Sequence, residues 1–308
     1  MKDTDHIFFC VMTPIIDIMG VILSFSGLII LQNSQFKEVL YKYLKVETLF
    51  IGINLTISSL RPMYHCEMAS TYKSNLIVIF QMYFRGYFGS ALEEAAFLCN
   101  LIATFQFYIM VANVKSSKLK ILERVDYRII CTVVLLFSCL LFIYQVFEFK
   151  IVSHVNIDNK TIFTTESINL QYQHIFNINR IIAFSIRDFL NPFISIILNI
   201  IIYLNVRRVM IRKKTLQKNV SSNMKNVDNS LKLMIFFGSL NNIIGRVPIA
   251  LWYILDIFYY YENTHLVLKF AVLAVDLSYA FHFILYYLTN KLFRKIFLNF
   301  FFNFCRRN

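Results

Sequence analysis

Long apolar runs alternate with short polar segments along almost the whole chain, and each run is long enough for one membrane-crossing helix. Crossing the ~30 Å hydrocarbon core of a bilayer takes about 20 mostly apolar residues as a helix, whereas transmembrane strands would show shorter, alternating segments. The pattern predicts an all-α membrane protein, a bundle of seven transmembrane helices forming one domain over 1–308. The predicted spans lie at roughly 7–31, 46–65, 76–113, 128–149, 178–206, 231–260 and 266–288.

The pattern changes after the last span, where the stretch NKLFRKIFLNFFFNF combines cations with large apolar residues. At helical spacing, Lys291 and Lys295 fall on one side, and the other side carries Leu292, Phe293, Ile296, Phe297, Phe300 and Phe304. Such a distribution is typical of a helix that lies flat on a membrane surface. We therefore predict a short amphipathic helix over 291–304 on the inner leaflet. Cys305 follows it, with a palmitoyl group or an unmodified thiol as the alternatives.

Composition agrees with this pattern and orients it. Hydrophobic residues make up 57% of the 308 residues and charged residues 16%, which is too little polar cover for a soluble domain. The net charge is +13, and most of the 31 lysines and arginines lie in the first, third and fifth connections and in the tail. Positive segments stay in the cytoplasm, so we expect a plasma-membrane protein with an extracellular N-terminus and a cytoplasmic C-terminus. The cations would meet membrane lipid and cytoplasmic partners, and no nucleic acid.

Short motifs accompany the last three predicted spans. The chain reads FLNPF in span five and NNIIGRVP in span six, where the proline is Pro248. Span seven ends with Tyr286, and NKLFR follows from Asn290 to Arg294. With seven spans and a surface helix after them, these residues resemble the rhodopsin-like (class A) G-protein-coupled receptors, especially divergent invertebrate peptide-type receptors and orphan chemoreceptors. That family ends its seventh helix with Asn-Pro-x-x-Tyr and Asn-x-x-Phe-Arg, and the second motif is complete here.

Other positions depart from that family. His282 and Phe283 stand in place of its Asn-Pro, and residues 106–108 read Gln-Phe-Tyr in place of its Asp-Arg-Tyr. Ser59 stands where its sodium-binding aspartate is expected. In the family, the arginine at the position of Phe107 changes partners on activation and meets the G protein. An aromatic residue removes that contact, so a non-coupling receptor relative is an alternative.

The resemblance implies a receptor that binds an extracellular small molecule or peptide and signals to a heterotrimeric G protein, by outward movement of spans five and six. The implied switch residues are His282, Tyr286 and Pro248. The implied contacts with the G protein are Phe107, Tyr108, Arg207, Arg208 and Arg294. The alternative for each of these contacts is a solvated, lipid-facing rim.

Charged residues inside the predicted spans are informative, because each costs ~2.5 to 3.5 kcal/mol at the bilayer centre and is kept away from lipid. The candidates are Asp17, Arg85, Glu93, Glu94, Arg187, Asp188, Arg246 and Asp276. Arg85 and Arg187 lie toward outer span ends, where we expect them at the rim. Helical spacing predicts two inward stripes. One contains Glu93, Asn100, Thr104 and Phe107, and the other Asp276, Tyr279, Phe283, Tyr286 and Asn290.

From these stripes we predict that Arg246 pairs with Asp276 or Glu93, beneath an aromatic pocket in the outer half of the bundle. The resemblance places these three residues at the floor of the family's ligand cavity and Asp188 on its wall, while Glu94 would face span four or five. The candidate ligand-binding residues are thus Glu93, Glu94, Asp188, Arg246 and Asp276. The alternative is an ion pair that only holds helices together.

Cysteines and glycosylation motifs concern the predicted outer face. The disulfide usual in the family cannot form, because 145–177 contains no cysteine. Cys10 and Cys66 both lie near the outer face, where the alternatives are a disulfide and two unpaired thiols. Asn159, in the motif NKT of an outer loop, is a candidate glycan acceptor.

Catalytic motifs are missing from the sequence. It contains no HExxH, P-loop or GxSxG motif and no metal-ligand spacing of Cys and His, so neither an enzyme nor a metal or cofactor is expected. A transporter or channel is the stronger alternative to a receptor, because charges inside helices also mark ion paths. Against it, the two halves show no internal repeat, and glycine numbers only seven.

Overall fold

The computed structural model describes residues 7–36, 38–62, 75–112, 125–155, 161–167, 173–216, 222–258 and 264–307. Over these ranges the chain is helical, apart from one hairpin and short turns. Seven long helices follow one another and are numbered α1 to α7. An eighth helix, α8, follows the last of them.

Three of the helices contain a π-helical segment, in which the turn is wider than in an α-helix. α1 consists of the π-helical Ile7–Met12 and the α-helical Thr13–Leu31. α3 consists of Asn75–Ile79, the π-helical Phe80–Phe88 and Gly89–Ala112. α5 consists of Gln173–Phe184, the π-helical Ser185–Leu190 and Asn191–Leu216. Such segments change which residues face inward, and the sequence pattern did not predict them.

The other helices are regular: α2 is Val39–Ser59, α4 is Tyr127–Phe142 with a further short helix Tyr144–Glu148, α6 is Ser222–Phe258, α7 is Thr264–Thr289 and α8 is Lys291–Arg307. The start of α4 is capped by the Asp126 carboxylate, which accepts a hydrogen bond from the Arg128 backbone N–H at 3.0 Å. Pro248 lies inside α6, where it removes one backbone hydrogen bond of the helix.

An antiparallel hairpin follows α4, a feature that the sequence analysis missed. Strand β1, Phe149–Val155, pairs with β2, Thr161–Ser167, so that Phe149 is opposite Ser167 and Val155 is opposite Thr161. The predicted fourth span ended at 149, where the strand begins. The five residues 156–160 between the strands include Asn159, which lies outside the described residues.

Five of the described helices are long and apolar enough to cross a membrane: Phe8–Leu31, Asn75–Ile109, Tyr127–Glu148, Gln173–Asn205 and Val267–Thr289. The chain therefore has the character of a helical, multi-pass membrane protein, as predicted. α2 and the described part of α6 do not belong to this group, because polar side chains interrupt them. Length and composition alone thus support five of the seven predicted spans.

The outer surface of several helices is apolar in a way that suits lipid. Ile22 of α1 is 61% exposed, Leu140 of α4 is 66% exposed, and Phe193 of α5 is 61% exposed. In the apolar 18-residue stretch of Tyr127–Glu148, only 28% is buried inside the bundle. Large exposed apolar surfaces of this kind indicate contact with a membrane or another protein.

The helices close into one bundle with α3 at its centre. α1 packs on α2 and α7, α7 packs on α6, and α5 packs on α6. α3 contacts α2, α4, α5 and α6. Several residues of α3 that face this interior are accordingly small, and Ala91, Ala95 and Cys99 are completely buried.

Glycines allow two of these helix pairs to approach closely. A Cβ at Gly20 of α1 would stand 2.7 Å from Leu55 and 3.2 Å from Ala280, so only glycine fits there. A Cβ at Gly245 of α6 would stand 2.7 Å from that of Ser278 on α7. Small residues at helix contacts are typical of membrane bundles.

Contacts along α1 also give the directions of its neighbours. Gly20 of α1 lies against Leu55 of α2, and Gly27 of α1 lies against Thr48 of α2. The residue number rises on α1 and falls on α2, so the two helices are antiparallel. On α7, Gly20 lies against Ala280 and Gly27 against Phe283, so the number rises on both helices and α7 runs parallel to α1. We call the end of the bundle where α1 begins its N-terminal end, and the end where α7 stops its C-terminal end.

The C-terminal end is closed by α8, which extends three residues beyond the predicted 291–304. The residue Asn290 separates α7 from α8. Its side-chain Oδ1 accepts hydrogen bonds from the backbone N–H groups of Leu292 and Phe293, at 3.0 and 3.1 Å. Phe293 is completely buried against Phe283 and Tyr286. Lys291 and Lys295 are exposed, as the predicted amphipathic pattern requires.

Candidate functional site

Three groups of buried polar side chains lie inside the bundle. The arginine cluster consists of Glu93, Arg187, Asp188 and Arg246. The Asp17 cluster consists of Asp17, Arg61 and Asp276. The Glu47 cluster consists of Glu47, Asn100, His282 and Tyr286. All these residues are at most 7% exposed.

Arg246 of α6 is the centre of the arginine cluster. Its Nη1 lies 3.3 Å from Glu93 Oε2 of α3 and 3.4 Å from Asp188 Oδ1 of α5. Its Nη2 donates a hydrogen bond to the hydroxyl of Tyr279 on α7, at 2.5 Å. One guanidinium therefore connects four helices. The predicted pairing of Arg246 with Glu93 is present, whereas its pairing with Asp276 is not.

Arg187 is a second guanidinium of this cluster and not the rim residue that the sequence predicted. Its Nε and Nη2 donate to the two carboxylate oxygens of Asp188 at 3.0 to 3.2 Å, and its Nη1 lies 3.8 Å from Glu93. The guanidinium also lies over the ring of Phe184, 4.6 Å from its centroid. Arg187 is only 5% exposed. Both Arg187 and Asp188 point inward because they belong to a π-helical turn, which a regular helical pattern does not anticipate.

Glu94 lies beside the arginine cluster and faces α5, one of the two helices considered for it. The Asn191 side chain of α5 donates a hydrogen bond to Glu94 Oε1 at 2.6 Å. Glu94 is completely buried, and its Oε2 has no hydrogen-bond partner among the described residues.

The Asp17 cluster lies between α1, α7 and the residues that follow α2. Arg61, two residues beyond the end of α2, holds Asp276 Oδ2 of α7 at 3.0 Å from its Nη1. Asp17 of α1 is completely buried, and neither of its carboxylate oxygens has a hydrogen-bond partner among the described residues. Sequence reasoning missed Arg61 as the partner of Asp276. The sequence did carry a signal for this partner, because Arg61 stands next to Pro62 inside a predicted span.

The Glu47 cluster lies nearer the C-terminal end. Asn100 Nδ2 donates to Glu47 Oε1 at 2.9 Å, and His282 Nε2 lies 2.9 Å from the same oxygen. The Tyr286 hydroxyl donates to Glu47 Oε2 at 3.3 Å and lies 2.9 Å from His282 Nε2. A buried carboxylate thus faces two of the predicted switch residues. It is Glu47 and not a residue near Ser59, which makes only a local bond to the Thr56 carbonyl.

Glu47 was missed because it lies at the edge of the predicted second span, although the sequence carried a signal for it. Glu47 and Asn54 are seven residues apart on α2, and Glu93 and Asn100 are seven apart on α3. Residues at this spacing share a helix face. Because the helices are antiparallel, each asparagine meets the glutamate of the other helix, and the Asn54 side chain donates to Glu93 Oε1 at 3.2 Å.

A small cavity adjoins the Glu47 cluster, with room for about one water molecule. Its lining combines α1, α2 and α7 through Ser24, Gly27, Thr48, Ile51, His282, Phe283 and Tyr286. A ligand larger than water does not fit there in this conformation.

The predicted cytoplasmic residues occupy different positions. Phe107 is completely buried in the core, so in this conformation it cannot contact a partner; its large apolar ring lies on the stripe of α3 that faces the bundle. Tyr108 and Arg294 are half-buried, whereas Arg207 and Arg208 are exposed.

Cysteines add one covalent link. Cys10 is disulfide-bonded. Its suggested partner Cys66 lies outside the described residues, as does the side chain of Cys305. Cys99, Cys131 and Cys139 are free thiols.

Fold and site together define a helical membrane protein with membrane-length helices and a charged interior. No family model matches the chain, and no curated protein is similar to it.

Proposed function

We propose that this chain is a seven-helix receptor of the plasma membrane, which binds an extracellular small molecule or peptide and signals to a heterotrimeric G protein. The observation that carries the proposal is the position of Arg246. Its guanidinium links α6 to α3, α5 and α7, two residues before Pro248. A ligand that competes for Glu93 or Asp188 would change the packing of α6 and so bias an equilibrium between helix arrangements.

Seven spans are proposed because of where the polar residues of α2 and α6 lie. Glu47 and Asn54 of α2 and Arg246 of α6 lower the hydropathy of these helices, but all three are buried inside the bundle. A helix with an apolar outer face and a satisfied polar inner face can cross a membrane. With seven spans, the distribution of lysine and arginine places the N-terminus outside and α8 on the cytoplasmic leaflet.

Signalling would leave the molecule at its C-terminal end. Arg207 and Arg208 are exposed on α5, and Tyr108 and Arg294 are partly exposed. These four side chains are the proposed G-protein contacts. Phe107 instead contributes packing, because its ring is buried.

A cell assay tests this function through basal activity, which requires no known ligand. Arg246→Lys keeps the charge but loses the planar fork, so it cannot hold Glu93, Asp188 and Tyr279 together. At matched surface expression, we expect it to change basal activation of a panel of G-protein chimeras severalfold. Arg180→Lys, at an exposed arginine of α5, is the matched control and should behave as wild type.

Two results would contradict the proposal. One is wild-type basal activity of Arg246→Lys, and the other is no response of any chimera to either protein at the cell surface. Tags at the two ends test the orientation, since only the N-terminal tag should be accessible on intact cells.

The buried charges also favour a second candidate, a transporter or channel, because intramembrane charges line ion paths. Proteoliposomes separate the two functions. An ion or proton flux that depends on Arg246 and Glu93 would favour transport, whereas a receptor should show none above that of empty liposomes.

A further inference from the structure

Asp17 is a buried carboxylate that the arrangement described above does not use. It is 0% exposed, and neither oxygen has a hydrogen-bond partner among the described residues. Buried charges are normally paired or bound to another ion, because an unpaired one loses its hydration without compensation. An orphaned, buried carboxylate inside a helix bundle therefore indicates a missing partner.

The charged neighbours of Asp17 among the described residues do not supply that partner. Asp276 of α7, Arg61, Arg85 and Glu93 are the charged groups that act on it. Arg61 is paired with Asp276 at 3.0 Å, and Arg85 lies in the half-exposed π-helical segment of α3. The Asp17 cluster thus has one negative charge in excess.

The missing group must bring one positive charge and at least one N–H or O–H donor. A proton alone would neutralise the charge, but the resulting carboxylic acid would still have an unsatisfied hydroxyl and carbonyl. A metal ion needs several oxygen or nitrogen ligands, and the described residues contain no group of three His, Cys, Asp or Glu side chains placed to hold one. An ammonium group, with three donors and one charge, satisfies both oxygens at once.

The cluster is also close to an end of the bundle. Asp17 lies nine residues after Phe8, which is about 14 Å along a helix. Arg61 lies beyond the end of α2, at the same end of the bundle as the start of α1. There the rings of Phe8 and Phe270, on α1 and α7, meet edge to face at 5.3 Å. These two rings offer an apolar surface to an aromatic group attached to the ammonium.

We propose that Asp17 anchors a ligand that carries a single ammonium group, in a site formed by α1, α7 and Arg61 at the N-terminal end of the bundle. The proposal names the ligand class of the receptor and rests on that proposed function. Asp17 would bind the ammonium group directly, while Arg61 keeps Asp276 occupied.

Thermal unfolding of the purified full chain in lipid nanodiscs tests this. The probes are phenethylamine and its uncharged analogue phenylpropionamide at millimolar concentration, and sodium chloride against potassium chloride at the same ionic strength. We expect phenethylamine to raise the unfolding temperature of wild type by several degrees and the amide to leave it unchanged. The shift should disappear in Asp17→Asn and persist in Asp126→Asn, a control at an exposed carboxylate. Asp17→Asn should itself fold, because it removes an unpaired charge, and Asp17→Ser is the second variant should it not.

Several outcomes would overturn the proposal. They are equal shifts with amine and amide, an amine shift that survives in the Asp17 variants, and no shift with the amine at all. Stabilisation by sodium that depends on Asp17 would assign the site to a metal ion instead. The unfolding measurement in nanodiscs involves no G protein, so its result is independent of signalling in the cell assay. An amine shift without cellular signalling would refute only the receptor function. Signalling without an amine shift would refute only the ligand class.

Discussion

In the N-terminal half of the bundle, the buried carboxylates of Glu93 and Asp188 are met by guanidinium groups, whereas in the C-terminal half the carboxylate of Glu47 is met by an amide, an imidazole and a phenol. Arg246 and Arg187 share Glu93 and Asp188 in the first region. Asn100, His282 and Tyr286 surround Glu47 in the second. Both regions are buried, so the difference lies in the kind of partner.

This difference suggests a division of roles. Ion pairs that share one guanidinium can exchange partners when another charge enters, so the arginine cluster suits a response to a ligand. Hydrogen bonds that converge on one carboxylate depend on the exact spacing of α2, α3 and α7. The Glu47 cluster is therefore suited to holding these helices in one packing arrangement. Asn54 and Asn100 connect the two regions by pairing α2 with α3 at both levels.

The largest expected effect comes from Arg246→Met, which leaves the two carboxylates Glu93 and Asp188 with Arg187 as the one remaining guanidinium of the cluster. Removing one member of a buried ion pair costs about 3–5 kcal/mol of folding stability. Chemical unfolding of the purified protein would measure this loss. Adding Asp188→Asn should recover part of the loss, because the cluster then again has equal numbers of carboxylates and guanidinium groups. A loss below about 1 kcal/mol would show that the arginine cluster does not depend on its charges.

A smaller effect is expected from Glu47→Leu. It leaves the buried Asn100 amide without its acceptor, at a cost of about 1–3 kcal/mol, whereas His282 and the Tyr286 hydroxyl keep their contact with each other at 2.9 Å. Glu47→Gln, which keeps one carbonyl acceptor, should lose less. Equal stability of these two variants would show that the carboxylate is not the centre of its cluster.

The two asparagines give a direct comparison of the regions. Asn100→Leu should destabilise more than Asn54→Leu, because Glu93 keeps Arg246 and Arg187 while Glu47 keeps only His282 and Tyr286. We expect about 1–3 kcal/mol for the former and about 1 kcal/mol for the latter. The reverse order, measured in the same unfolding assay, would argue against the distinction between the two regions.

The smallest effect is expected at the C-terminal end. Asn290→Ala removes the side chain that accepts from two backbone N–H groups at the start of α8, and cap removal costs about 0.5–2 kcal/mol. Hydrogen exchange of the first turn of α8 would report it, with Asn299→Ala on the exposed face of α8 as the control. Faster exchange in both variants alike would exclude a specific capping role.

Much of the architecture was predictable from the sequence, since periodicity is a local property. The stripe of Glu93, Asn100, Thr104 and Phe107 is buried, as helical spacing required. The break at Asn290 and the amphipathic α8 were also readable from neighbouring residues. The hairpin and the π-helical turns were not, because they alter the period on which that reasoning depends.

Partners, in contrast, were decided only by the tertiary structure. The sequence placed Arg246, Glu93 and Asp276 inside the bundle, but it could not show that Asp276 binds Arg61 or that Asp188 joins Arg246. A side chain's inward direction follows from its position on one helix. Its ion-pair partner depends on the rotation and vertical register of a different helix, which packing across the whole bundle sets. The sequence thus determined that several charges are buried, although not Arg187, Arg61 or Glu47. Only the folded arrangement determined which of the buried charges are satisfied, and it leaves Asp17 without a partner among the described residues.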